Sequence, residues 1–222
     1  MKLQVLFEDN HVIAVVKPAG LLVQGDKTGD TCLLDIVKKY LKEKYNKPGN
    51  VFLGLVHRLD RPVAGIVILG KTSKGAARLS EQFRTHSIQK IYHAVVQGRL
   101  PQKSGTLKSF LQKDREKNRT EVYDEEGDDR QAAELDYEVI KTGKDCSLVK
   151  IILKTGRSHQ IRAQLAAEKC PIVGDVKYGA SKPLPDGSIA LAATSLTFQL
   201  ATKNESQTVS MDLPKEWDIF LK

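Results

Sequence analysis

The sequence has little of what disulfide-bonded and zinc-binding proteins need. It contains only three cysteines in 222 residues, Cys32, Cys146 and Cys170, and no two of them form a CxxC motif. An odd number of widely spaced cysteines favours reduced thiols in a cytoplasm over a disulfide framework or a zinc site. The five histidines do not form an HExxH motif either. We therefore expect neither a metal ion nor another cofactor.

Long apolar segments are also missing. The longest apolar runs, such as GIVILG, are far shorter than a segment that crosses a bilayer. The N-terminal sequence MKLQVLFEDN has no apolar region followed by a small-residue cleavage site, so it does not resemble a secretory signal. We expect a cytoplasmic protein that has no membrane partner, and we expect it to be a monomer.

The charge is unevenly distributed along the chain. The net charge is +8, and residues 71–119 hold 12 basic and 3 acidic residues. Residues 121–138 hold 9 acidic residues and one basic residue, which fits a solvated hairpin tip. A strongly basic stretch favours a polyanionic partner bound through phosphate contacts. The alternative is a solvated basic face that binds nothing.

The hydrophobic pattern predicts alternating short strands and a few helices. Apolar residues at helical spacing predict one helix after Thr31, a second capped by Ser73 and a third capped by Ser158. The remaining apolar segments predict strands: HVIAVVK, VFLGLV, GIVILGKT, IQKIYHAVVQGRL, TLKSFLQKD, AAELDYEVIKTG, CSLVKIILKTG and IALAATSLTFQLA. Strands in succession indicate an α+β fold with a mixed, largely antiparallel β-sheet flanked by helices. No glycine-rich phosphate loop is present, and we expect a single domain over residues 1–222.

Three stretches bring polar residues to the ends of these elements: HRLD at 57–60, QKIYHAVVQG at 89–98 and GRSHQIRAQL at 156–165. Each has a structural alternative, because Arg58 and Asp60 could form a surface ion pair, Tyr92 could be a core aromatic and Arg162 could be a solvated helix residue. Together they supply a carboxylate, a phenol and several guanidiniums. An aspartate that a nearby arginine keeps ionised can act as a nucleophile or base without a metal.

The order of four motifs resembles the RNA pseudouridine synthases, and within them the RluA-like family that acts on uridines of large-subunit ribosomal RNA and transfer RNA. The motifs are KPAGLLV, GLVHRLDRPVAGIVILGKT, QKIYHAVVQG and GRSHQIRAQLAAEKCPIVGDVKYG, and the likeness runs from about His11 to about Phe198. Such a likeness implies an isomerase that needs no reagent, because substrate and product are isomers. It also implies the fold of that family.

The resemblance assigns roles to individual residues. Asp60 matches the catalytic aspartate, Tyr92 matches the tyrosine that packs on the flipped base, and Arg162 matches the arginine that pairs with the aspartate. Arg58 is implied to displace or replace the base as it leaves the stack. Further substrate-binding residues are expected in the same motifs and in the basic stretch: His57, Arg157, His159, Lys74, Arg78 and Arg84.

The chain departs from the family pattern at three places. It has Pro62, Val63 and Ala64 where a Thr-Ser pair is common, and Gln164 where a histidine is usual. The first change puts the choice of substrate in doubt. The pattern begins near His11, so we expect no separate N-terminal RNA-binding domain, and the catalytic domain must hold its RNA alone.

Two other functions compete with this reading. The first is an RNA-binding module or RNA chaperone that has the fold without turnover, which would be expected to have lost one of Asp60, Tyr92 and Arg162. The second is a metal-dependent nuclease, which the lack of spaced carboxylates and histidines disfavours.

Overall fold

The computed structural model describes residues 2–27 and 29–222, which divide into two compact units. The first unit comprises Met1–Ile88 and Thr194–Met211, and the second comprises Gln89–Ala193 and Asp212–Lys222. Strand β10 (Leu191–Gln199) begins in the second unit and ends in the first. The expectation of one catalytic domain over residues 1–222 stays a prediction.

The first unit is an antiparallel sheet with two helices. Its elements are β1 (Gln4–Glu8), β2 (Val12–Lys17), α1 (Leu33–Lys44), β3 (Gly54–Leu55), β4 (Ala64–Gly70), α2 (Ser73–Arg84) and β11 (Ser206–Ser210). Strand β2 lies between β1 and β4, β3 pairs with β4, and β11 pairs with β10. The predicted VFLGLV strand is therefore reduced to two residues.

Alternating residues of these strands form the core of the first unit. Val12 and Ala14 of β2 and Ile66 and Ile68 of β4 are fully buried against Leu79 of α2. Period-two alternation on the strands and helical spacing on α2 thus meet in one apolar layer. Burial of this surface stabilises the unit by roughly 25 cal/mol for each Å² removed from water.

Helix α2 approaches β2 very closely, and Gly75 permits this approach. A Cβ atom on Gly75 would lie 2.1 Å from the backbone oxygen of His11, which no side chain could tolerate. The helix begins at Thr72, whose hydroxyl accepts the N–H of Gly75 at 3.1 Å. The prediction of Ser73 as the N-cap is therefore wrong by one residue. Helix α1 likewise begins after Cys32 rather than Thr31.

The second unit contains the other long strands. Its elements are β5 (Gln89–Gln97), β6 (Ser104–Asp114), β7 (Arg119–Tyr123), β8 (Gln131–Thr142), β9 (Cys146–Leu153), α3 (Gln160–Ala167) and two 3₁₀ helices (Val176–Tyr178 and Lys215–Leu221). The sheet runs in the order β5-β9-β8-β6-β7, and every one of these pairs is antiparallel. The predicted α+β class with a largely antiparallel sheet is confirmed.

The acidic segment connects two strands that flank β6. Strands β7 and β8 both pair with β6, so residues 124–130 cross from one side of β6 to the other. Strands β7 and β8 are not paired with each other in this sheet order. The segment is therefore a connection between separated strands and not the tip of a hairpin. Its acidic residues are exposed, as the solvated reading predicts.

Candidate active site

The HRLD motif lies in a loop between β3 and β4. Leu59 is buried and anchors the loop, while Arg58 is exposed and Asp60 is half-buried on either side of it. The N–H of Val63 donates to the backbone oxygen of Asp60 at 3.1 Å, which closes a turn after the aspartate. Arg58 and Asp60 lie in this loop and not in a strand. An aspartate held on a fixed loop at the end of buried strands is suited to catalysis.

Lys17, which sequence reasoning did not identify, stabilises this loop through a hydrogen bond to its backbone. Its side chain is wholly buried at the end of β2, and the ammonium donates to the backbone oxygens of Pro18 at 3.0 Å, Leu21 at 2.8 Å and Arg61 at 3.2 Å. Burial lowers the pKa of Lys17 to about 8, and the nearby negative charge of Asp60 opposes this shift. Lys17 thus ties the KPAG turn to the HRLD loop and keeps a cation near Asp60.

His57 is engaged by its own unit. The N–H of Ile68 donates to its Nε2 at 3.0 Å, and its ring stacks on Phe83 with centroids 4.5 Å apart. The histidine therefore joins the HRLD loop to β4 and α2. Its role in binding substrate stays a prediction.

The basic residues of α2 differ in their surroundings. Lys74 and Arg78 are exposed and line a shallow groove of about 410 Å³ that residues 199–204 complete. Arg84 instead forms a two-pronged ion pair with Glu81 at 2.6–3.0 Å, and this hydrogen bonding raises its pKa. Lys74 and Arg78 are therefore better disposed than Arg84 to meet a phosphate. The substrate roles of all three stay predictions.

Tyr92 and α3 occupy the same face of the second unit's sheet. Tyr92 is half-buried on β5, opposite Ile151 of β9, which in turn lies opposite Tyr137 of β8. The register carries this face on to β6, where Ser109 accepts a hydrogen bond from Gln164 of α3 at 3.0 Å. Since side chains alternate between the faces of a strand, Tyr92 points to the side that α3 covers.

Arg162 is buried in α3, so its reading as a solvated helix residue is wrong. Its Nε and Nη2 donate to the two carboxylate oxygens of Asp175 at 2.7 and 2.8 Å. Its guanidinium carbon also lies 5.0 Å from the ring centroid of Tyr178. A bidentate pair of this kind fixes the plane of the guanidinium. Arg162 and Asp60 belong to different units, and their predicted pairing stays a prediction.

His159 begins α3 with its backbone in the left-handed region at φ 51°. Its Nδ1 lies 2.8 Å from the hydroxyl of Tyr178, which also accepts the N–H of Thr120 at 2.8 Å. Burial raises the pKa of Tyr178. The predicted N-cap Ser158 is wrong, because the N-cap of α3 is His159, one residue later. The carbonyl of Ser158 accepts the hydroxyl of Thr120 at 2.9 Å. His159 is thus held against Tyr178, and its contact with substrate stays a prediction.

Arg157 borders a polar groove of about 620 Å³ in the second unit, which Lys113 and Arg115 of the β6–β7 connection also line. Its Nε donates to the backbone oxygen of Ala132 at 3.0 Å. Three cations against one carboxylate, that of Asp129, leave this groove with a net positive charge that suits a phosphate backbone. Substrate binding by Arg157 stays a prediction.

Sequence reasoning did not single out the buried Lys71 and Lys90, nor two further buried charged residues, Asp175 and Lys17. The last two stand inside motifs that carry the resemblance, in PIVGDVKYG and KPAGLLV. Lys17 ends a strand whose other residues are all apolar, which is a signal that could have identified it. Asp175 lies between Gly174 and the exposed Val176 and gave no such signal. In the described ranges 2–27 and 29–222 no three histidine, cysteine or acidic side chains are grouped so that they could hold a metal ion. No helix among the described residues is long and apolar enough to cross a membrane.

Comparison with solved structures shows the class of fold. The chain matches the human RNA pseudouridylate synthase domain-containing protein 4 with a TM-score of 0.80 at 23% identity, over 97% of this chain and 90% of that one. At this identity the likeness shows the fold alone, which is that of a pseudouridine synthase.

Comparison with sequences shows the family. The model of the RNA pseudouridylate synthase family matches residues 11–167. The ribosomal large subunit pseudouridine synthase D of Borreliella burgdorferi is 31% identical over 98% of this chain and 67% of its own length. The synthase C of Rickettsia prowazekii is 33% identical over 81% of this chain and 57% of its own length. This chain belongs to the RNA pseudouridine synthase family and is an isomerase.

Proposed function

We propose that this protein converts specific uridines of ribosomal RNA or transfer RNA to pseudouridine, with Asp60 as the catalytic residue. The observation that carries this proposal is the half-buried Asp60 on the HRLD loop. The wholly buried Lys17 donates to the backbone of this loop and lies near the Asp60 charge. The relatives named as ribosomal large subunit synthases support ribosomal RNA as the substrate.

The reaction needs only groups that the chain itself supplies. The bond between N1 of uracil and C1′ of ribose breaks, the base turns over, and a bond between C5 and C1′ forms. The hydrogen on C5 leaves as a proton and N1 gains one, so no oxidant, reductant or metal takes part. A carboxylate can hold the sugar or base during this exchange as a nucleophile.

The other site residues would support Asp60. Tyr92 packs against the flipped base and takes part in the final proton transfer, while Arg162 pairs with the Asp60 carboxylate and keeps it ionised. Arg58, exposed beside Asp60, takes the place of the target base in the stack.

Lysine and arginine side chains of both units would bind the phosphates of the RNA backbone. Lys74 and Arg78 line one groove, and Arg157 lines another together with Lys113 and Arg115. We propose RNA as the partner of a cytoplasmic monomer that uses no cofactor. Each phosphate that these side chains neutralise releases counterions, so binding should weaken steeply with salt.

An inactive RNA-binding module with the same fold is the alternative. Asp60, Tyr92 and Arg162 are all present, and this intact set favours an active enzyme. Mapping of pseudouridines in RNA from cells with and without the gene tests the proposal. The loss of one or a few pseudouridines from ribosomal or transfer RNA, restored by the wild-type gene, is the expected result. Identical maps would contradict the proposed function.

A further inference from the structure

Lys90 differs from the two other buried lysines of the described chain. Lys17 donates to three backbone oxygens, and Lys71 pairs with Glu8 at 2.6 Å. Lys90 is only 7% exposed, yet no residue in the ranges 2–27 and 29–222 provides a hydrogen-bond acceptor or an ion-pair partner for its ammonium. Burial lowers its pKa. A charge that is buried without a partner costs stability, which suggests that the partner is a ligand.

The Lys90 ammonium lies beneath an opening at Gly156. A Cβ atom on Gly156 would lie 3.8 Å from Nζ of Lys90 and within 4 Å of no other atom outside its chain neighbours. Gly156 is exposed, and its φ lies outside the left-handed region, so the backbone does not require glycine there. Among the described residues no wholly enclosed side-chain nitrogen or oxygen lacks a partner, so Nζ keeps some access to solvent. The missing side chain at 156 therefore leaves the ammonium accessible from outside.

An ammonium in this position favours an anion. It has already lost most of its hydration in the folded protein, so an arriving anion gains a strong attraction without that cost. Lys90 stands two residues before Tyr92 on β5, so the two side chains share a face at about 6.6 Å along the strand. A nucleotide whose base packs on Tyr92 would bring its own phosphate within reach of Lys90.

We propose that Lys90 binds a phosphodiester of the RNA next to the target uridine, through the opening at Gly156. This proposal rests on the proposed function, since it takes RNA as the substrate and Tyr92 as the residue beside the base. Because Gly156 has no side chain, it would let the phosphate reach the Lys90 ammonium, although the backbone at this position accepts other residues.

Lys90→Met tests the proposal because methionine fills the same space without charge. The variant should melt at a temperature equal to or higher than that of the wild type, since a buried unpaired charge is removed. Its affinity for large-subunit ribosomal RNA transcribed in vitro should fall about ten- to a hundredfold. The slope of log K against log salt should decrease in magnitude by about 0.7 to 1, as for one lost phosphate contact. A structural role would instead lower the melting temperature and leave the salt slope unchanged.

Two further variants keep the test decisive. Lys39→Met removes an exposed lysine of α1 and should leave both RNA affinity and salt slope at the wild-type values. Gly156→Ala keeps the charge but narrows the opening, and it should weaken RNA binding in the same direction, even if Lys90→Met does not fold. Wild-type RNA affinity and salt slope in Lys90→Met, or in Gly156→Ala if Lys90→Met is unfolded, would overturn the proposal.

Unchanged affinity with a slower single-turnover rate in Lys90→Met would also overturn it, because the ammonium would then act on the uracil and not on a phosphate.

Measurements on the wild-type protein distinguish failure of this proposal from failure of the proposed function. If the wild type binds the RNA but forms no pseudouridine, the proposed function fails, while a weaker salt slope in Lys90→Met would still support phosphate binding.

Discussion

Asp175→Asn should strongly destabilise the second unit, because it leaves the Arg162 guanidinium without its buried carboxylate. Only 6% of the Arg162 side chain and 1% of the Asp175 side chain are exposed, and the two hydrogen bonds between them measure 2.7 and 2.8 Å. Removing one member of a buried pair costs about 3–5 kcal/mol, since the remaining charge stays desolvated. Against a total stability of roughly 5–15 kcal/mol for a folded protein, this is a large loss.

Urea denaturation followed by circular dichroism measures the effect. Asp186→Asn is a matched control, since Asp186 is exposed in a turn and its removal should cost much less than Asp175→Asn. The double variant Arg162→Met with Asp175→Asn should lose less than the sum of the two single variants, because each single variant already removes the hydrogen bonds that the two side chains share. A free energy of unfolding for Asp175→Asn within about 1 kcal/mol of the wild type would refute this reasoning.

Two other variants test separate parts of the structure. Burial alone would raise the pKa of Glu8, but hydrogen bonds from Lys44 and Lys71 outweigh this effect and lower the pKa from 4.5 to about 2. The ionised carboxylate therefore stabilises the fold above pH 4.5, and this stabilisation is lost as the pH falls towards 2. Glu8→Gln should cost about 2–3 kcal/mol at pH 7 and little near pH 2, as measured by urea denaturation at both values, and an equal loss at both would contradict the ion pair. Tyr92→Phe should keep RNA affinity, because stacking is worth about 1–3 kcal/mol per base and survives, while pseudouridine formation slows in a single-turnover assay. Wild-type rates would show that the Tyr92 hydroxyl has no part in proton transfer.

The strands of both units could be predicted because short runs of apolar, mostly β-branched residues bounded by turn residues indicate extended chain. In HVIAVVK and IQKIYHAVVQG the apolar residues alone indicate extended chain, and the structure confirms strands at these places. The helices were also predicted, but their first residues were not. Thr72 is the N-cap of α2, where its hydroxyl accepts the N–H of Gly75 as threonine commonly does. His159 is the N-cap of α3 and makes no side-chain capping bond, so a preference for serine could not identify it.

The partners of buried charges could not be predicted, because they depend on contacts made after folding. Arg162 and Asp175 lie 13 residues apart, in a helix and in the loop that follows, and no local pattern pairs them. The position of Lys90 within a β-strand gave no sign that its ammonium would be buried without a partner. The residues of the candidate site were predicted from motifs, while their supporting contacts required the structure.

Tritium release from RNA labelled at C5 of uridine tests the central claim most directly, because C5 loses its hydrogen when the new bond to C1′ forms. The wild-type protein should release tritium from large-subunit ribosomal RNA or bulk transfer RNA, and Asp60→Asn should release none while it folds and binds RNA normally. Asp128→Asn, an exposed aspartate in the β7–β8 connection, serves as the matched control and should match the wild type. Release by Asp60→Asn at the wild-type rate, or no release by the wild type, would contradict the account.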